Sequence, residues 1–134
     1  MTPIETKGFL YGVSGRHQRG AEVFCLNLKS LELEWKEPIH WMDSLFGRDL
    51  RLELFRASFL LVEGKFLCLS ELGSLVWVDM DERGWKVISK TQLFFAPGTW
   101  TLPALHGGLL YVMQNETDRQ SKLGPRLICY DVRK

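Results

Sequence analysis

Cysteine is scarce in this chain and has no useful spacing: Cys25, Cys68 and Cys129 are the full set. An odd number without C-x-x-C pairs argues against a zinc ribbon and against a disulfide framework. Each lies in a strand-like apolar run, where cysteine is expected to act as a small buried apolar residue. Histidine is equally sparse: His17, His40 and His106 lack metal-ligand spacing and read as scattered surface residues. No apolar run approaches the roughly 18–20 residues of a membrane-crossing helix. The first residues, Met1 to Lys7, show no basic segment followed by an apolar core, so no signal peptide is expected. An excess of one charge is missing too. Lys and Arg number 17 against 16 Asp and Glu, a net +1, which gives no electrostatic case for nucleic acid or an anionic membrane.

What is present points to strands. The 134 residues are 46% apolar, enough for one domain-sized core and too few for two. Aromatics make up 12%, with five Trp, and 12 Gly outnumber five Pro, a balance that suits an all-β protein rich in turns. Short runs of Leu, Val, Phe and Trp alternate with Gly, Asp, Asn or Ser clusters along the whole chain. Gly8 to Gly15 is the first such run, and Ala21 to Leu28 the second. Lys29 and Ser30 turn the chain into Leu31-Glu-Leu-Glu-Trp35, whose period of two predicts a half-buried strand with Leu31, Leu33 and Trp35 on one face. Residues 57–95 read as four strands in meander. Residues 99–132 repeat the plan through a third strand.

Residues 38–56 break the pattern. Trp41, Met42, Leu45 and Phe46 are spaced as in one helical turn, whereas Leu50, Leu52 and Leu54 alternate with Arg51 and Glu53. The segment reads as an insertion carrying a short helix or an extra strand.

The chain also repeats. Cys25-Leu-Asn-Leu, Trp77-Val-Asp-Met and Cys129-Tyr-Asp-Val begin at evenly spaced positions, each at the end of a comparable strand. A four-stranded sheet cannot bury both faces alone, so like units stack and each supplies half of its neighbour's core. The Asn or Asp of each copy (Asn27, Asp79, Asp131) is placed to bond the backbone of the following turn.

These residues resemble the quinoprotein alcohol dehydrogenase-like β-propellers, built from pyrroloquinoline-quinone-type repeats. The likeness lies in a tryptophan-docking motif of a small residue, an Asp two positions on, a Thr-Gly turn and a Trp. Cys25, Asn27, Ser30 and Trp35 take those places, with Leu31 where the family has Gly. The second copy keeps Asp79 and Gly84 but has Val87 where Trp would fall; the third keeps Asp131. Gly98-Thr-Trp-Thr-Leu-Pro-Ala-Leu105 is similar to the blade opening common in bacterial members of the group. The resemblance implies an all-β partial propeller of about three consecutive four-stranded antiparallel meander blades. Residues 8–37 would be a blade without its first strand, 38–56 an insertion, 57–95 a complete blade, and 99–132 a blade without its last strand. It further implies a C-terminal piece of a longer propeller, whose remaining blades, or copies of itself associating through exposed strand edges, would be its partners. Relatives of this kind are commonly exported, which suggests a periplasmic or secreted setting.

Catalytic chemistry finds little footing. The superfamily's dehydrogenases hold their quinone between a Trp and two adjacent cysteines with calcium alongside, and this chain has no adjacent Cys pair and no D-x-D-x-D-G run. Gly12-Val-Ser-Gly15 lacks the following helix that a nucleophile elbow or a phosphate loop requires. Asn115-Glu-Thr117 is formally a glycosylation sequon. The expectation is therefore a binding or scaffolding module without a cofactor, directed at a protein or a glycan. The alternative is the C-terminal portion of a quinone-dependent dehydrogenase whose cofactor residues lie in upstream blades. Loops at one end of the stacked sheets are the expected binding surface, with Arg16, His17 and Arg19 in the first long loop and Asn115, Asp118 and Arg119 in the last as candidates.

Overall fold

The structure, a computed structural model, describes residues 2–15 and 21–133. Its regular structure is all strand, arranged as three antiparallel sheets and one separate hairpin. Sheet 1 holds β1 (Ile4–Thr6), β2 (Phe9–Ser14), β3 (Glu22–Asn27) and β4 (Leu33–Glu37). The hairpin is β5 (His40–Leu45) with β6 (Arg48–Glu53). Sheet 2 holds β7 (Ala57–Val62), β8 (Lys65–Ser70), β9 (Ser74–Asp81) and β10 (Gly84–Gln92). Sheet 3 holds β11 (Ala104–His106), β12 (Leu109–Gln114) and β13 (Arg126–Asp131). Each sheet is a meander in chain order.

Two sequence expectations change here. The first unit does not lack its opening strand, because Ile4–Thr6 pairs with Phe9–Tyr11 across a two-residue turn. Three residues are too short to show as an apolar run, and Lys7 with Gly8, at φ 54° and 84°, makes the tight turn that selects the hairpin. The same geometry recurs at Glu63–Gly64 and Gly107–Gly108. The insertion contains no helix. Phe46 and Gly47, at φ 54° and 75°, reverse the chain so that β5 and β6 pair from His40↔Glu53 to Leu45↔Arg48. Trp41 is buried and Met42 is exposed, so the period is two and the helical spacing was coincidental.

The sheets stack with one polarity. Tyr11, Val23 and Cys25 on the forward face of sheet 1 pack against Phe59, Phe66, Cys68, Val76 and Val78 on the back of sheet 2. Leu67, Leu69, Leu75 and Trp77 on the forward face of sheet 2 pack in turn against Leu110, Val112, Ile128 and Tyr130 on the back of sheet 3. The alternation of side chains along β8 supplies both cores at once, which is why Phe66–Ser70 is an unbroken buried run. The hairpin roots in the first core through Ile39, Trp41 and Leu54. It then runs along β10, with His40 edge-on to Trp85, Lys90 donating to the Met42 carbonyl and Phe46 edge-on to Phe95.

A bulge sits at the same place in both four-stranded sheets. On β4 the register passes from Cys25↔Trp35 to Leu26↔Leu33, leaving Glu34 as the extra residue. Leu33 and Trp35 therefore point to opposite faces, and Leu31 is a turn residue at φ 61°. The expected single face for Leu31, Leu33 and Trp35 does not survive the bulge. On β10 the register passes from Val78↔Val87 to Trp77↔Ser89, with Ile88 extra. The counterpart of Trp35 is thus Ser89 and not Val87. Sheet 1 sets a small Cys25 opposite a large Trp35, and sheet 2 sets a large Trp77 opposite a small Ser89. The indole has changed strands while the paired volume is kept.

Candidate functional site

The repeated motif resolves into structure. Cys25 is fully buried in the first core, and its thiol is pushed up by that burial. Trp35 lies half-buried against the same core, and its Nε1 donates to the Asp81 carbonyl of sheet 2 at 2.7 Å. Asn27 Oδ1 accepts from the amides of Lys29 and Ser30, and Ser30 Oγ from that of Glu32, so both shape the turn. Asp131 does the same for Arg133. Asp79 does not. Asn27 stands opposite Phe9 and ends β3, but β9 runs two residues beyond Asp79, to Asp81. Asp79 pairs with Lys65 at 3.0 Å, and Asp81 takes over the turn by accepting from the Arg83 amide and guanidinium, which hold its carboxylate below the ordinary range. Trp77 packs in the second core. Cys129 occupies the register of Cys25 and Trp77, yet it is exposed, because no described element covers the forward face of sheet 3. The expected burial holds for Cys25 and Cys68 and fails for Cys129.

Of the loop candidates, Arg16, His17 and Arg19 lie outside the described residues. Asn115 Nδ2 donates to the Gly98 carbonyl at 2.7 Å, which ties its loop to the segment entering sheet 3. Asp118 is buried, and burial acts to raise its pKa. Bonds from the Gln120 amide and from Ser121 outweigh that and hold the carboxylate below the ordinary range. Arg119 donates its amide to the Phe95 carbonyl and is exposed. Asn115 and Asp118 thus spend their polar groups inside the chain, as staples of a loop.

A different cluster has the geometry of a site. The Glu71 amide donates to the Arg56 carbonyl at 2.9 Å, and the Thr99 amide to the Glu71 carbonyl at 3.0 Å. The entry to β7, the exit of β8 and the segment leading to β11 therefore lie side by side. Glu71 is 1% exposed, and its Oε2 accepts from Trp100 Nε1 at 3.1 Å. The Arg56 guanidinium lies over the Trp100 ring, 5.7 Å from its centroid. Trp100 itself is 65% exposed. Arg56, Ala57, Ser58, Thr99 and Trp100 line a recess of about 270 Å³. Thr99 Oγ1 in the lining, and Glu71 Oε1 buried behind Trp100, have no hydrogen-bond partner among the described residues. Such groups are rare in folded proteins, and a polar partner, an ordered water included, would satisfy them.

The recess offers an aromatic platform, a cation and two hydroxyls, with a buried carboxyl behind the platform. No histidine or cysteine among the described residues lines it. Among the described residues, no group of three or more His, Cys, Asp or Glu could hold a metal ion. A larger hollow of about 540 Å³, lined by Trp77, Ile88, Leu105 and Val132 among others, opens between sheets 2 and 3. Its lining includes Ile88, the extra residue of the β10 bulge. A scan against protein-family models and a search of curated proteins both return no match.

No local sequence pattern joins Arg56, Glu71 and Thr99 as a group. Glu71 follows an apolar run and precedes Gly73, a placement that by itself indicates only a turn. Trp100 was seen only as part of a blade opening. The available signal was the conjunction of a carboxylate in a turn of a mostly apolar unit with an unassigned Trp.

Proposed function

We propose that this chain is a non-catalytic binding or scaffolding module, part of a β-propeller of pyrroloquinoline-quinone-like repeats, and that its recess at Trp100 receives a partner. The uniform stacking of like sheets supports the propeller, as does the Trp35 indole docked on the neighbouring sheet's backbone. The observation that carries the function is the Trp100 platform, fixed from behind by buried Glu71 and from one face by Arg56, beside a Thr99 hydroxyl that has no partner among the described residues. An exposed indole held this firmly costs a ligand little ordering on binding. Mixed donors and acceptors around an aromatic face suit a sugar, whose C–H face stacks on the ring while its hydroxyls meet Thr99, Ser58 and Arg56. That favours the glycan over the protein partner.

Titration with methyl glycosides, followed by tryptophan fluorescence, tests this reading with Trp100→Phe as the reference. Saturable quenching lost in the variant is expected. A response to peptides alone would favour the protein partner. Tight uptake of the quinone with calcium, together with dye reduction, would favour the dehydrogenase alternative and end the non-catalytic reading.

A further inference from the structure

We propose that the forward face of sheet 3 docks head to tail on the back face of sheet 1 in a second copy of this chain. The contact does not depend on the recess at Trp100. Tyr11 on β2, Leu67 on β8 and Tyr111 on β12 hold the same register position, since Phe9, Lys65 and Leu109 each open their strand after an equivalent turn. The first two are covered by the next sheet, and Tyr111 is 37% exposed. Its cross-strand partner Cys129 and the neighbouring Leu127, 68% exposed, extend the same open apolar face. At the other end, the back of sheet 1 carries Leu10, Phe24, Leu26 and Leu33. The counterparts of Leu10 and Phe24 in sheet 2, Phe66 and Val76, are completely buried. Leu33 is 55% exposed.

Both described interfaces join a forward face to a back face, and none joins two faces of one kind. Among the described residues one face of each kind is left open, and together they are the two halves of a third such interface. Copies would satisfy it heterologously, giving a closed ring or an open filament according to the rotation per copy. Gly12 leaves room on the back face for the Phe24 ring, whose far end a Cβ at that position would meet at 2.7 Å.

The test uses the full chain in size-exclusion chromatography with light scattering over a concentration series. Wild type is expected to exceed monomer mass increasingly with concentration. Leu127→Lys and Leu33→Lys change exposed side chains at opposite ends of the stack, and circular dichroism checks that each still folds. Each variant alone is expected to be monomeric. An equimolar mixture of the two is expected to form a dimer, because each supplies the face the other has lost. Labelling of Cys129 by a thiol reagent should slow about tenfold or more in the assembled wild type. A wild type that stays monomeric throughout overturns the proposal, and so does a mixture that stays monomeric. Association abolished by Leu127→Lys but untouched by Leu33→Lys would mean that two sheet 3 faces meet each other, which also overturns it.

Discussion

Single residues decide how the sheets lock together, and Trp35 is the clearest case. Its ring packs against the first core while its Nε1 bonds the Asp81 carbonyl across the interface. Trp35→Phe keeps most of the packing and strands that carbonyl, so a loss of about 1 kcal/mol is expected. Trp35→Ala removes the ring as well, and a half-buried site that partly collapses should cost about 2–4 kcal/mol. Urea denaturation of the three proteins reads both steps; equal stability for Phe and wild type would show that the bond contributes nothing. Asp118 gives a second test through pH. Its folded pKa is depressed, so its contribution is complete above the unfolded value near ~3.9 and is lost as pH falls through the lower folded value. Wild type should therefore lose stability on acidification below about pH 4 more steeply than Asp118→Asn. Parallel curves from denaturation at stepped pH would remove Asp118 as a cause.

At the scale of elements, much was legible and the failures have identifiable causes. The strands of sheet 2 and the turns at Glu63–Gly64 and His106–Gly108 follow from alternation and glycine placement. What alternation cannot reveal is a bulge, because one inserted residue reverses every side chain beyond it; Leu33 and Val87 were misplaced for that reason. A three-residue strand such as β1 is equally hidden, since its pairing with β2 and not its own composition makes it a strand. The candidate site was less legible than the fold. It joins Arg56, Glu71 and Thr99 through backbone bonds between segments distant in sequence, which no local pattern encodes. The hairpin supplies a prediction of its own kind. Trp41 is 7% exposed in the core and Met42, its neighbour on β5, is 57% exposed. Trp41→Ala should cost about 3–5 kcal/mol, and Met42→Ser less than about 0.5 kcal/mol. Similar losses for both in thermal unfolding would restore the helical reading of this segment.

For the molecule as a whole, three stacked sheets and a bracing hairpin form a frame that holds the Arg56–Trp100 recess where three segments converge. Binding at that recess is the central claim, and a nitrogen–proton correlation spectrum of the labelled chain titrated with methyl glycosides tests it most directly. The Trp100 indole and the amides of Ser58, Thr99 and Glu71 are expected to shift together and saturably, while the Trp35 indole stays in place. Perturbations centred on the Trp35 indole and Asp81, with Trp100 unmoved by every ligand class, would contradict it.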